Sequence, residues 1–83
     1  MGRLAGRTAV VTGASSGIGR ATVAALARKG AAVHAVARRA DRLAALGDAT
    51  GAVPRALDGR DGAAMARLAA EVPADIPVAN AGL

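Results

Sequence analysis

The 83-residue sequence predicts an α/β protein built on a doubly wound parallel sheet, cut short after its fourth strand. Three observations carry that prediction. Short apolar, β-prone segments alternate with segments of helical periodicity. A glycine-rich turn, Gly13-x-x-x-Gly17-x-Gly19, stands where the first strand hands over to the first helix. The first strand is a short apolar run that reads as buried on both faces, as parallel sheets require.

Taken in order, Thr8-Ala9-Val10-Val11-Thr12 is a β-prone apolar run that stops abruptly at Gly13. From Gly17 to about Lys29 the residues Ile18, Ala21, Ala25 and Leu26 recur at helical spacing, and Gly30 supplies the stop. Ala32 to Ala37 reads as a second strand, Asp41 to Leu46 as a short helix ended by Gly47, and Ala52 to Leu57 as a third strand. Asp61 is placed to cap a helix whose Met65, Leu68, Ala69 and Val72 fall at i, i+3, i+4 and i+7, with Pro73 closing it. Asp75 to Ala79 forms strand four, although Pro77 lacks the donor that an interior strand uses and is expected to distort it. Right-handed crossovers then place the helices on the two faces of one sheet. A fourth strand in such a sheet belongs to its interior, so the sheet reads as unfinished at Leu83.

Composition narrows the function. A chain of this length makes at most one small domain and buries only about 60–65% of its unfolded surface. There are 25 Ala against 19 Val, Ile, Leu and Met, and no Phe, Tyr or Trp, so the core is thin and close-packed. No cysteine and a single histidine exclude a disulfide scaffold and a thiolate or histidine-rich metal site, and make a reducing cytoplasm the simplest compartment. No apolar run approaches the ~20 residues of a membrane span. Ten Arg and one Lys against six acids give a net charge of +5, which suits a phosphorylated partner. The basic residues are spread along the chain and no aromatic is present to stack on a base, which argues against nucleic acid.

The glycine turn has a specific chemistry. Glycine allows the tight exit from a strand and lets backbone approach a pyrophosphate, which rests on the free N–H groups and positive end of the following helix. Gly13, Gly17 and Gly19 supply that turn, with Ile18 inside it and the hydroxyls of Ser15 and Ser16 as further donors. No Gly-Lys-Ser/Thr follows, which excludes a P-loop. A dinucleotide site usually carries an acid about 20 residues further on, at the end of strand two, for the ribose hydroxyls. Here Ala37 stands in that place and Arg38 and Arg39 follow. Guanidinium groups suit a 2′-phosphate, so NADP(H) is favoured over NAD(H).

Together, Thr12 to Gly19 (TGASSGIG), Ala37-Arg38-Arg39, Leu57-Asp58 and Asn80-Ala81-Gly82 resemble the N-terminal portion of the short-chain dehydrogenase/reductase family, in order and in spacing. The resemblance spans residues 1–83 and implies the NAD(P)-binding part of a Rossmann-like domain. It implies that Asp58, after strand three, meets the adenine amino group, and that Asn80, Ala81 and Gly82 close strand four beside the cofactor ribose. It further implies a hydride transfer between nicotinamide and a carbonyl or secondary alcohol. Two departures from the family pattern are Ala79, where a second Asn is common, and Gly59, where a β-branched residue is common.

The family's catalytic Ser and Tyr-x-x-x-Lys have no counterpart. The sequence has no Tyr, its only Ser residues are Ser15 and Ser16, and its only Lys is Lys29, at the far end of the first helix. No residue is assigned to catalysis. His34, alone within a strand, reads as structural. The expectation is therefore a cofactor-binding half whose catalytic half is absent. The alternatives are a non-catalytic nucleotide-binding module and a truncated product without independent activity. The sequence fixes neither substrate nor oligomeric state.

Overall fold

A computed structural model of the chain describes residues 4–14, 17–58 and 60–78. Its elements are β1 (Thr8–Thr12), α1 (Gly17–Arg28), β2 (Ala32–Ala37), α2 (Ala40–Thr50), β3 (Val53–Ala56), α3 (Gly62–Glu71) and β4 (Ile76–Val78). The four strands form one parallel sheet in the order β3-β2-β1-β4. The chain winds outward from β1 through β2 to β3 and then crosses to the other side of β1 for β4. The crossing makes a topological switch at β1, with a crevice beyond the carboxyl ends of the strands.

Alternation along the strands divides the core into two faces. Ala9 and Val11 of β1 and Val33, Ala35 and Ala37 of β2 pack with Val23 of α1 and with Leu43 and Leu46 of α2. Val10 and Val36 point the other way, onto Leu68 of α3, with Met65 and Val72 beside it. The small alanines on the first face let two helices lie close to the sheet without any aromatic filler. The second face is thinner. A cavity of about 260 Å³ lies there between α3 and the sheet, lined by Val10, Met65, Leu68, Val72 and Pro77 among others.

The first helix turns only part of the expected face inward, keeping Leu26 against the core. Gly19 and Val23 are buried, with Leu26 and Ala27 packed behind them, while Ile18 is 62% exposed and Ala21 is exposed. Gly19 sets this face, because the helix rests on the preceding turn at a residue that has no side chain. The second helix is also longer than expected, running through Gly47 to Thr50. A Cβ on Gly47 would lie 2.9 Å from the Ala52 carbonyl oxygen, so this glycine serves close packing inside the helix. Gly51 ends the helix instead, in the left-handed region at φ 81°, its N–H donating to Gly47 O at 2.7 Å.

Strand β3 is shorter than expected, and Ala52 and Leu57 flank it. Asp61 caps α3 as expected, accepting from the N–H groups of Ala63 and Ala64 at 3.1 Å. Pro77 fits into β4 without disturbing its pairing. In a parallel ladder only alternate residues bond to a given neighbour. With Ala9, Val10 and Val11 opposite Ile76, Pro77 and Val78, the bonds to β1 fall to Ile76 and Val78, and the bare proline nitrogen faces away. Pro54 sits on β3, at the other edge, opposite Ala35 in the same manner. Asp75 fastens the start of the pair twice, its N–H donating to Thr8 O at 2.9 Å and its carboxylate accepting from Thr8 N–H at 3.0 Å.

Candidate functional site

Of the described residues singled out above, Gly13, Gly17, Gly19, Arg38, Arg39 and Asp58 lie at the carboxyl edge of the sheet. There β1 ends at Thr12, and Gly13, at φ 66°, turns the chain. The buried Ala14 donates its N–H to Val36 O at 3.0 Å, which ties the turn to β2. The helix α1 then starts at Gly17. A Cβ on Gly19 would collide with the Gly13 carbonyl oxygen and lie 2.9 Å from Ala14 Cα, so the first turn of the helix is pressed onto the loop. A Cβ on Gly17 would meet nothing within 4 Å among the described residues. The two glycines thus do opposite work: Gly19 closes the packing and Gly17 leaves backbone accessible from outside. No acidic residue stands in the first turn of α1 to offset its positive end. Ser15, Ser16, Asn80, Ala81 and Gly82 lie outside the described residues.

At the end of β2, Arg38 and Arg39 are both exposed, but they are not equivalent. Arg39 precedes α2 and its Nε lies 3.5 Å from Asp41 Oδ1. The Asp41 carboxyl is held below its ordinary range, first by the backbone N–H of Arg42 and also by the Arg39 charge. Among the described residues Arg38 takes part in no ion pair. It stands beside the end of β3, because Leu57 N–H donates to Ala37 O at 3.0 Å and brings residue 58 next to residue 38.

Asp58 is held in a local turn by its neighbour Arg60. Its Oδ1 accepts from the backbone N–H of Arg60 at 2.9 Å and from Arg60 Nε at 3.2 Å, and its Oδ2 accepts from Arg60 Nη2 at 3.1 Å. These contacts lower its pKa, with the side-chain bond from Arg60 the largest cause and the charge of Arg38 the smallest. The Asp-x-Arg spacing in Asp58-Gly59-Arg60 was the available signal, since a carboxylate two residues before a backbone N–H forms a local turn.

His34 stands apart from this edge. Its Nδ1 accepts from Arg55 Nε at 3.3 Å, and Arg55 Nη1 lies 3.5 Å from Glu71 Oε1. Burial lowers the His34 pKa most, the Arg55 charge lowers it further and Glu71 opposes them. The group links β2, β3 and α3, as a structural histidine would. Among the described residues no cluster of His, Cys, Asp or Glu could hold a metal ion, and no helix is long and apolar enough to cross a membrane.

A parallel sheet whose first strand passes through a glycine turn into a helix N-terminus, at a topological switch, defines a Rossmann-like α/β protein. The model of the short chain dehydrogenase family matches residues 7–83, and the chain belongs to that family. It is 56% identical over 59 residues to an uncharacterized oxidoreductase of Mycobacterium tuberculosis, an alignment covering 71% of this chain and 24% of that protein. A metagenomic short-chain oxidoreductase crystallised in complex with NADP superposes with a TM-score of 0.88 at 37% identity, covering 96% of this chain and 41% of the other. Carveol dehydrogenase from Mycobacterium avium, in complex with NAD, superposes with a TM-score of 0.84 at 28% identity, covering 100% and 38%. The chain thus spans about a quarter of the length of that relative and about two-fifths of these solved structures.

Proposed function

We propose that residues 1–83 are the NADP(H)-binding part of a short-chain oxidoreductase that moves hydride between a nicotinamide and a carbonyl or secondary alcohol. The carrying observation is the end of β2, where Ala37 replaces the expected acid and Arg38 stands exposed with no ion-pair partner among the described residues. Relatives bind either dinucleotide by their printed names, so the preference rests on Arg38.

The residues present fit such a ligand. The open backbone at Gly17 and the positive end of α1 would receive the pyrophosphate, with Gly13 and Gly19 holding loop and helix together beneath it. Ser15 and Ser16 would add hydroxyl donors. Arg38 would meet the 2′-phosphate with paired N–H groups, and Arg39 would assist once released from Asp41. Ile18, exposed at the first turn, would give the ligand an apolar contact. Asp58 would stand at the base, and Asn80, Ala81 and Gly82 at the ribose. The bound dinucleotide supplies the hydride chemistry. With no Tyr in the sequence, the part played by these residues is binding and orientation, and proton transfer to a substrate is assigned to none of them.

Titration of the protein with NADPH and NADH tests the reading. NADPH should bind more tightly, and Arg38→Asp should weaken NADPH by about 10- to 100-fold, the scale of a lost charge-assisted contact, while changing NADH far less. Equal loss for both dinucleotides would remove Arg38 as the selector.

A further inference from the structure

Arg60 is the group at this edge that neither the family pattern nor the sequence reading assigns. We propose that Arg60 is a base-specificity residue, one that occupies the Asp58 carboxylate and so withholds it from the exocyclic amino group of the dinucleotide's base. The inference rests on the cofactor reading above. A carboxylate offers about four acceptor sites, and Arg60 fills three of them, two on Oδ1 and one on Oδ2. The fork of Nε and Nη2 spans both oxygens, the geometry in which guanidinium and carboxylate hold each other best. Arg60 is the more exposed of the two: its side chain is 73% exposed and that of Asp58 is 37% exposed.

The clamp is exposed and therefore reversible. Exposed ion pairs are worth a factor of up to about five in an equilibrium, which sets the size of the effect. Removing the Arg60 side chain leaves its backbone N–H on Oδ1 and frees the two other acceptor sites. The fold is not at stake, because the cap of α3 is Asp61 and Arg60 itself is exposed.

The test compares binding of NADPH with that of its hypoxanthine counterpart, in which a carbonyl oxygen replaces the amino group. The parent protein should bind the two within about twofold. Arg60→Ala, and Arg60→Gln as a bulkier control, should raise the preference for NADPH by about two- to fivefold. Adding Asp58→Ala to Arg60→Ala should return the ratio to its starting value. A carboxyl NMR titration without any dinucleotide reads the clamp directly, and Arg60→Ala should move the Asp58 pKa upward. An unchanged or falling ratio in Arg60→Ala overturns the proposal, as does an Asp58 titration that ignores the substitution. If the NMR shows the clamp but no variant binds either dinucleotide, the cofactor reading itself fails and takes the base-specificity role with it.

Discussion

Replacing Gly19 by alanine adds one methyl group at the point where α1 touches the turn. The added carbon would fall on the Gly13 carbonyl oxygen and within 2.9 Å of Ala14 Cα and Gly13 C. All three atoms are backbone. Gly13 is already held in the left-handed region, and Ala14 is tied to Val36, so the turn has little room to yield. The helix must shift, and with it Val23, which is fully buried. Overpacking costs about 1–3 kcal/mol, and a clash with backbone belongs at the upper end, so we expect a loss of about 2–3 kcal/mol. A protein of this length has only about 4–12 kcal/mol in total, and each kcal/mol moves Tm by about 4–8 °C. Thermal unfolding followed by circular dichroism should therefore show Gly19→Ala melting at least about 8 °C below its parent. Gly17→Ala is the matched control, since its new carbon meets nothing within 4 Å among the described residues. It should melt at or above the parent temperature, alanine being the better helix former, while weakening NADPH binding by crowding the backbone. A Tm for Gly19→Ala within about 2 °C of the parent would refute the argument that this glycine sets the seat of α1.

Further outcomes follow from the caps and charges. Asp61→Ala removes the acceptor for two backbone N–H groups of α3 and should cost about 0.5–2 kcal/mol in urea unfolding, whereas Asp61→Asn should cost much less. The folded pKa of His34 lies below its ordinary 6.5, so as pH falls through that value the unfolded chain takes up a proton before the folded one does. Stability should fall as pH is lowered through the ordinary histidine range, and the fall should end once the folded histidine is protonated too. His34→Gln, which keeps an acceptor for Arg55, should flatten that part of the profile; an unchanged slope would show that the histidine is not the cause.

Much of the fold was legible because its signals are local. Thr8 to Thr12 carries its β-propensity within five residues, Asp61 caps its helix through N–H groups two and three residues away, and the glycine turn declares itself by spacing. What was misread depended on distant atoms. Gly47 looks like a helix stop in sequence, and only the Ala52 carbonyl opposite it shows why a glycine sits inside α2. Ile18 looks like part of a buried stripe, but the contact of Gly19 with Gly13 and Ala14 turns it outward. Pro77 looks incompatible with a strand until its register with Val10 shows which side of the chain its nitrogen faces.

The candidate site divides along the same line. By itself the sequence determined that a glycine turn joins a buried strand to a helix, that two arginines follow strand two, and that no tyrosine is present for proton transfer. These are properties of residue identity and spacing. Only the tertiary structure decided that Arg38 stands beside the end of β3, next to Asp58, whereas the pairings of Arg39 with Asp41 and of Asp58 with Arg60 join residues two apart. The reason is physical: a charge acts through its distance to other charges, and those distances are set by how the strand ends are brought side by side.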